Sequence, residues 1–206
     1  MAEEKQNERL IFFSDGVMAV SITLLVLDVR LPVDAGGLSE SELLAEVVAT
    51  LPRVYAYVLS FLVVALYWSS HHQKFLLIPR TNMILVWLNV LFLLAIGLVP
   101  FVTSVIAENG GVIATVLYAG LMTIVGLALT ASWGYAWLTG LISETVDRKR
   151  KAMIFWISFA GSAVFALSIP IAFWNASAGQ YAWLALVPIS LGRFATHRRI
   201  EQTVSR

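Results

Sequence analysis

The chain has 206 residues, of which 59% are hydrophobic and 13% are charged, and its mean hydropathy is +0.80. A soluble domain carries about 25% charged residues, so this composition excludes a water-soluble globule. The formal net charge of +1 at pH 7 provides no overall field for a nucleic-acid partner. Because the chain has no cysteine, disulfides, thiolate nucleophiles and cysteine-ligated metal centres are also excluded.

Continuous apolar stretches alternate along the chain with short polar segments. A transmembrane helix needs about 20 apolar residues, whereas a transmembrane strand alternates over about 10. We therefore predict an all-α membrane protein with six transmembrane helices, which form one domain over residues 1–206. The approximate spans are 10–31, 54–73, 82–106, 112–140, 152–173 and 179–194.

The basic residues indicate how these helices are oriented. Of the 14 lysines and arginines, 12 lie in segments that the six spans place on the same side of the membrane. These segments are the N-terminus, the loops between spans two and three and between spans four and five, and the C-terminus. Cytoplasmic loops retain positive charge, so both termini are predicted to be cytoplasmic. The run Arg148–Lys151 is part of this asymmetry, and a contact with anionic lipid headgroups is a second interpretation of it.

The first span is interrupted by more polar residues than the other well-defined spans. Polar groups inside a membrane are costly, which makes them functional candidates. Steps of three and four residues stay on one face of a helix, and here they define a face that is small or apolar with one hydroxyl. Helix packing is the alternative interpretation of this face. Its residues are Gly16, Val20, Thr23, Leu24, Leu27 and Leu31.

A short amphipathic helix is predicted between the first and second spans, at the outer interface. Ser39 and Glu42 have the spacing of a capping box. This helix is either a packing element or the wall of a vestibule whose carboxylates concentrate cations, and both interpretations stay open here. Its apolar residues at helical spacing are Leu43, Leu44, Val47 and Val48.

Several motifs in the first half of the chain resemble one family. Residues 9–17 (RLIFFSDGV) and 22–28 (ITLLVLD) resemble the Arg-x-x-x-Phe-Ser-Asp first helix of the prokaryotic relatives of transmembrane protein 175, an endosomal and lysosomal potassium channel. Residues 68–75 (WSSHHQKF), Asn82 and residues 87–89 (WLN) resemble its second and third helices. The resemblance implies a homotetramer of six-helix subunits in the cytoplasmic membrane, in which the first helix lines a central potassium-permeable pore.

The resemblance also implies a hydrophobic constriction in that pore. The expected pore residues are Val20, Thr23, Leu24 and Leu27, flanked by Gly16, Asp28 and Leu31. Narrow apolar rings gate by controlling whether water fills them. A Thr-Val-Gly-Tyr-Gly filter is missing from the sequence, and the fragment at residues 133–135 (WGY) is expected at a helix end. The implied partners are potassium ions, further copies of the chain and membrane lipids, with no cofactor.

A second set of residues is implied to hold the inner end of the first helix against its neighbours. Asp15 belongs either to this network or to a direct ion site, with polar partners sought among the histidines and asparagines of the next two spans. Two adjacent histidines point about 100° apart on a helix, so no metal site is predicted. The set comprises Arg9, Phe13, Ser14, Asp15, His71, His72, Asn82 and Asn89.

These observations favour a passive potassium-selective or potassium-permeable cation channel. The sequence has no Gly-x-Ser-x-Gly elbow, His-Glu-x-x-His motif or Walker loop, so the protein is not predicted to be an enzyme. The alternatives are a secondary transporter or proton-coupled cation carrier, and a noncatalytic membrane scaffold. Transporters show internal repeats and helices broken near mid-membrane, whereas this chain has no convincing repeat and its Pro100 and Pro170 are expected near span ends.

Overall fold

The computed structural model describes residues 2–31 and 37–186 of the chain. Within these ranges the regular structure is entirely helical. Two 3₁₀ turns, Leu25–Asp28 and Trp183–Ala185, accompany the α-helices. The α-helices are α1 (Ala2–Leu24), α2 (Glu40–Ala49), α3 (Leu51–Leu76), α4 (Met83–Gly97), α5 (Val99–Asn109), α6 (Val112–Leu138), α7 (Arg148–Trp174) and α8 (Ala176–Ala182).

Five helical segments of the described chain are long and apolar enough to cross a membrane. They are Asn7–Asp28, Glu40–Leu76, Met83–Asn109, Val112–Leu138 and Arg148–Trp174. The prediction of an all-α membrane protein is thereby confirmed. The sixth predicted span, 179–194, lies partly outside the described residues, so the count of six and the cytoplasmic termini stay predictions.

Polar side chains at the helix ends explain where several helices begin. Ser39 and Glu42 form the predicted capping box at the start of α2, in which the Ser39 hydroxyl accepts a hydrogen bond from the Glu42 backbone N–H. Asn82, Asp147 and Asn175 accept comparable bonds at the starts of α4, α7 and α8. Each cap satisfies a backbone donor that the first turn of a helix leaves without a partner.

The third membrane segment is broken inside the bundle, contrary to the expectation that Pro100 lies near a span end. Residues Met83–Asn109 form two helices, α4 and α5, which are separated at Leu98. The physical reason is that Pro100 has no N–H to donate to the carbonyl of Ile96. Pro170, by contrast, lies near the end of α7, four residues before Trp174.

Two buried clusters hold the helices together. The larger surrounds Tyr118 and Met122 of α6 and joins α1, α3, α4, α5 and α7. The smaller surrounds Phe75 of α3 and Trp133 of α6, and it includes residues of the loop that precedes α7. Residues 133–135 lie within α6, so their backbone is helical and does not form an extended carbonyl filter.

Helices α7 and α8 form a tight hairpin at Asn175. Gly179 of α8 lies against Ala172 of α7, so closely that a Cβ added at Gly179 would stand 2.9 Å from the Ala172 Cβ and 3.1 Å from the carbonyl oxygen of Ser168. The indole of Trp183 then enters the core, where it stacks on Tyr118 and donates a hydrogen bond of 2.9 Å to the Ser168 hydroxyl. The hairpin therefore returns the chain into the bundle.

We expect Gly179→Ala to lower the apparent melting temperature of the purified protein, because the added methyl group overpacks the hairpin at a cost of about 1–3 kcal/mol. Gly120→Ala is the matched control, since a Cβ at Gly120 meets nothing within 4 Å. Thermal unfolding followed by tryptophan fluorescence measures both. Equal melting temperatures for the two variants would contradict the close α7–α8 contact.

Candidate pore-lining helix and the polar cluster behind it

The first membrane helix has one buried face, which packs on α3, α4 and α5. Its residues recur at alternating steps of three and four, as expected for a helix that contacts the core on one side. Two of them are serines, so this face is partly polar. The buried residues are Asn7, Ile11, Ser14, Met18, Ser21 and Leu25.

The opposite face of α1 is uncovered, and it contains the residues predicted to line the pore. Val20, Leu24 and Leu27 are 57%, 43% and 67% exposed. Gly16 and Thr23 are also exposed on this side. Asp28 and Leu31 are half-buried. The single chain therefore leaves an apolar face with one hydroxyl uncovered.

Helix α1 changes its winding within this face. The α-helix ends at Leu24 and continues as the 3₁₀ turn Leu25–Asp28, whereas the sequence predicted a regular α-helix as far as Leu31. Residues three apart align in a 3₁₀ helix, so Leu27 stands directly above Leu24. The buried Leu25 anchors this turn, and the Arg53 guanidinium donates a 3.0 Å hydrogen bond to the carbonyl oxygen of Arg30 just beyond it.

The hydroxyl of Thr23 has a fixed role in its own helix. It donates a hydrogen bond of 2.8 Å to the carbonyl oxygen of Val20. Since the only hydroxyl hydrogen is used, the remaining lone pairs of the oxygen are acceptors. On an exposed side chain, these lone pairs are available to a cation or to water.

A chain of hydrogen bonds connects α1 to α4 and α3 behind this face. Ser14 donates to the carbonyl of Leu10 at 2.8 Å and accepts from the Asn89 amide N–H at 2.9 Å. The amide oxygen of Asn89 lies 2.7 Å from Nε2 of His71. Because this oxygen can only accept, His71 donates through Nε2–H. Ser14, Asn89 and His71 are all buried, so the three form one internal polar cluster.

Aromatic rings enclose the imidazole at the end of that chain. His71 stacks on Phe75 with ring centroids 4.2 Å apart and on Phe92 with centroids 5.2 Å apart. These contacts fix the ring plane and so direct Nε2 towards Asn89. The orientation of the cluster therefore depends on two phenylalanines that the sequence analysis did not propose as site residues.

Asp15 lies next to the cluster but has different partners. Its Oδ1 accepts a hydrogen bond of 2.8 Å from the indole N–H of Trp68. Its Oδ2 lies 3.9 Å from Nδ1 of His72. Trp68 and His72 are one helical turn apart on α3 and stack on each other, with centroids 5.8 Å apart. Of the partners sought by sequence, His72 is the one that the structure places beside the carboxylate.

The other residues of the predicted network lie elsewhere. Asn82 caps α4 and donates a hydrogen bond of 2.8 Å to the hydroxyl of Tyr135 on α6. Asn82, one of the candidate polar partners of Asp15, instead bonds through its amide to α6. Arg9 and Phe13 are exposed on α1. The predicted set is thus divided into a buried cluster, a carboxylate site, a helix cap and two surface residues.

Sequence reasoning quoted Trp68 within a motif but missed it as a partner of Asp15, although the spacing contained a signal. Trp68 precedes His72 by four residues, which places both on one face of α3, so a partner of His72 was also a candidate partner of Asp15. Tyr135, the partner of Asn82, left no comparable signal. Within residues 2–31 and 37–186, no group of three or more histidine, aspartate and glutamate side chains has a metal-binding arrangement.

The five long apolar helices define an integral membrane protein, whose first helix is anchored on one face and open on the other. Comparisons with known proteins agree. Residues 9–100 match the family described as "Endosomal/lysosomal potassium channel TMEM175". "Potassium channel B446_29190" of Streptomyces collinus is 34% identical over 179 residues, which cover 83% of this chain and 84% of that protein. The chain therefore belongs to the TMEM175 family.

Two further relatives extend this comparison. The crystal structure of a lysosomal potassium-selective channel TMEM175 homolog from Chamaesiphon minutus superimposes with a TM-score of 0.80 at 25% identity, covering 92% of this chain and 98% of that chain. The human "Endosomal/lysosomal proton channel TMEM175" is 39% identical over 103 residues, which cover 48% of this chain and 20% of the human protein. This is a family of channels, so the prediction that the protein is not an enzyme is confirmed.

We expect Asn89→Leu to destabilise the protein by about 1–2 kcal/mol, because it leaves the buried Ser14 and His71 without their shared partner. The measurement is thermal unfolding in mild detergent. Asn109→Leu is the control, since Asn109 is exposed at the end of α5. A melting temperature for Asn89→Leu that equals the control would show that the cluster does not stabilise the bundle.

Proposed function

We propose that the protein is a homotetrameric, potassium-permeable channel of the cytoplasmic membrane, with α1 of each copy lining the central pore. The observation that carries this proposal is the uncovered face of α1, where Val20, Leu24 and Leu27 are exposed around the Thr23 hydroxyl. Membership of the TMEM175 family and the names of the Streptomyces and Chamaesiphon relatives as potassium channels support it.

A pore explains this face better than contact with lipid does. The face carries Gly16 and Thr23 among its apolar side chains, and carboxylates lie at both of its ends, Asp15 and Asp28. These carboxylates are about 20 Å apart along the helix. A carboxylate near a membrane is favourable only when it is paired or hydrated. Asp15 has Trp68 and His72 beside it, and the mouth of a water-filled pore supplies hydration to Asp28.

The constriction consists of apolar rings. In a fourfold assembly, Val20, Leu24 and Leu27 contribute four side chains each, and the 3₁₀ turn aligns Leu27 with Leu24 in one continuous apolar zone. Such a zone passes ions only when it is wetted. It favours potassium over sodium, because potassium is less tightly hydrated and gives up or deforms its hydration shell at lower cost.

The Thr23 oxygen and the C-terminal end of α1 both stabilise a cation in the pore. The Thr23 hydrogen bond to Val20 leaves its lone pairs free to act as ligands within the apolar zone. The carbonyl end of a helix carries a partial negative charge, and Asp28 adds a full one. Cations are therefore concentrated next to the zone in which they lose water.

Two other transport functions have specific observations in their favour. The human relative is named a proton channel, and in this chain Asp15 lies beside the titratable His72. The break between α4 and α5 is a feature that transporters use. A passive potassium current distinguishes the channel from both, because a carrier gives no unitary conductance and a proton channel follows the pH gradient.

The pore assignment predicts that Leu24→Ala raises the potassium conductance, since a smaller side chain makes the apolar zone easier to wet. Thr23→Ala is expected to lower the potassium-to-sodium permeability ratio, because it removes the oxygen ligand. Leu167→Ala on the exposed face of α7 is the control. The measurement is current and reversal potential of the reconstituted protein under opposed potassium and sodium gradients.

If the tetrameric protein conducts and neither substitution changes its currents, α1 does not line the pore. Complete absence of conductance from wild-type protein that is correctly assembled would instead overturn the channel itself. A reversal potential that follows only the pH gradient would favour the proton channel.

For Asp15, a positioning role predicts that Asp15→Ala lowers the yield of detergent-stable tetramer more than it changes ion selectivity. Loss of the bond to Trp68 is the reason. Asp15→Asn keeps an acceptor oxygen for Trp68 and should recover most of the yield. Light scattering measures the assembly, and reversal potentials measure selectivity. A normal tetramer with altered selectivity would make Asp15 a direct ion site.

A further inference from the structure

A small cavity lies between α3, α6 and α7, midway along the bundle. Its volume is about 60 Å³. Gly161, which lines it, is the central residue of α7, and Gly126, which also lines it, is next to the centre of α6. Because these helices are long enough to cross a membrane, the cavity lies near the depth of the bilayer centre. We call it the mid-membrane cavity.

Two glycines explain why this space exists. A Cβ added at Gly126 would collide with the hydroxyl of Ser162, so the absence of a side chain at Gly126 lets α7 approach α6. A Cβ added at Gly161 would meet no atom of the described residues within 4 Å. Helix α7 therefore packs closely on α6 and leaves a gap beside Gly161, between α7 and the residues of α3 that line the cavity.

One hydroxyl in the cavity wall is a donor without an acceptor. Ser70 is 3% exposed, and its side chain makes no hydrogen bond within residues 2–31 and 37–186. A buried hydroxyl in this state is unfavourable. Ser70 therefore favours a ligand that brings an acceptor oxygen into the cavity.

Two further hydroxyls of the wall provide acceptors. Tyr67 lies three residues before Ser70, on the same face of α3, and donates to the carbonyl oxygen of Met122 at 3.0 Å. Ser158 of α7 donates to the carbonyl oxygen of Ile154 at 2.8 Å. Because both hydrogens are used, the lone pairs of both oxygens are acceptors. The cavity thus combines a donor and two acceptors, which suits the hydroxyl group of a ligand.

Most of the wall is apolar, so water alone does not suit the cavity. One water molecule would satisfy the hydroxyls, but it needs only about 10–15 Å³ of such a space. The remaining volume faces Val63, Leu129 and Phe165. Further waters there would lack partners, and apolar cavities in proteins stay dry. The cavity therefore fits a molecule whose polar group meets Ser70 and whose apolar part fills the rest.

We infer that the mid-membrane cavity binds a small amphiphile, namely the hydroxyl end of a medium-chain primary alcohol. The alcohol oxygen accepts from Ser70, and the alcohol hydrogen is donated to Tyr67 or Ser158. These bonds replace those that the alcohol gives up on leaving the membrane surface. The first carbons of the chain lie against the apolar wall, and the rest extends outward, because the cavity is not fully enclosed.

This ligand site is separate from the proposed pore. The described residues that line the cavity belong to α3, α6 and α7 or follow α8, and none belongs to α1. The inference therefore does not depend on the proposed conduction through α1. An alcohol of this kind dissolves in the bilayer, so it reaches the cavity from the lipid.

Photolabelling with an analogue of 1-octanol that carries a diazirine at its third carbon tests the inference. The wild-type protein in lipid vesicles is irradiated with the analogue, digested and examined by mass spectrometry. Octanol and octane, at equal concentrations in the membrane, are the competitors, because they differ by the hydroxyl group. We expect adducts to concentrate in residues 63–70 and 157–165. Octanol should suppress them about fivefold better than octane does, which is the effect of one hydrogen bond.

Two variants, each with a matched control, separate the cavity from general labelling in the membrane. Ser70→Ala removes the donor and is expected to lower the labelling about fivefold. Ser69→Ala changes an adjacent residue outside the cavity wall and should leave the labelling unchanged. Gly161→Leu fills the cavity and is expected to abolish the labelling. Its control is Gly120→Leu, where the added Cβ also enters open space.

Adducts that are spread evenly over the lipid-exposed helix faces would overturn the inference. Labelling that either Ser70→Ala or Gly161→Leu leaves unchanged would overturn it as well, and so would equal competition by octane and octanol. Potassium currents from the same vesicles test the proposed pore separately, because all four substituted positions lie outside α1.

Discussion

The hydrogen bonds of Asn89 fix the rotation of α1 about its own axis. Its amide joins Ser14 on α1 to His71 on α3, and both partners are buried. A shift of one residue along α1 would turn the helix by about 100° and remove Ser14 from this contact. The bond that buries Ser14 therefore also directs Val20 and Thr23 outward, so the composition of the open face follows from polar contacts behind it.

Several threonine hydroxyls donate a hydrogen bond to a carbonyl oxygen of their own helix, but their surroundings differ. Thr115, Thr123 and Thr130 each donate to a carbonyl one turn earlier, as Thr23 does. This bond satisfies the hydroxyl hydrogen inside a membrane without help from another helix. Among these four threonines Thr23 is the exposed one, whereas Thr115, Thr123 and Thr130 lie partly or wholly within the bundle. Whether a threonine oxygen is available to a ligand thus depends on the face of the helix on which it lies.

The sequence predicts the features that depend on hydropathy and local caps, and it misses those that depend on neighbouring helices. Five apolar segments and the Ser39–Glu42 capping box follow from spacing alone. The different partners of Ser14 and Asp15 do not follow from spacing, because they depend on where α3 places His71 and Trp68. The 3₁₀ turn after Leu24 is also unpredictable from periodicity, since tertiary contacts of Leu25 accompany the change in winding.

The change of winding at Leu24 couples the length of the α1 segment to the direction of its side chains. A 3₁₀ helix rises about 2.0 Å per residue, against about 1.5 Å in an α-helix, and turns about 20° further at each step. Rewinding the four residues Leu25–Asp28 as α-helix would shorten the segment by about 2 Å and rotate Leu27 by about 60° relative to Leu24. Shortening of this segment and rotation of its side chains therefore occur together, as one change of winding.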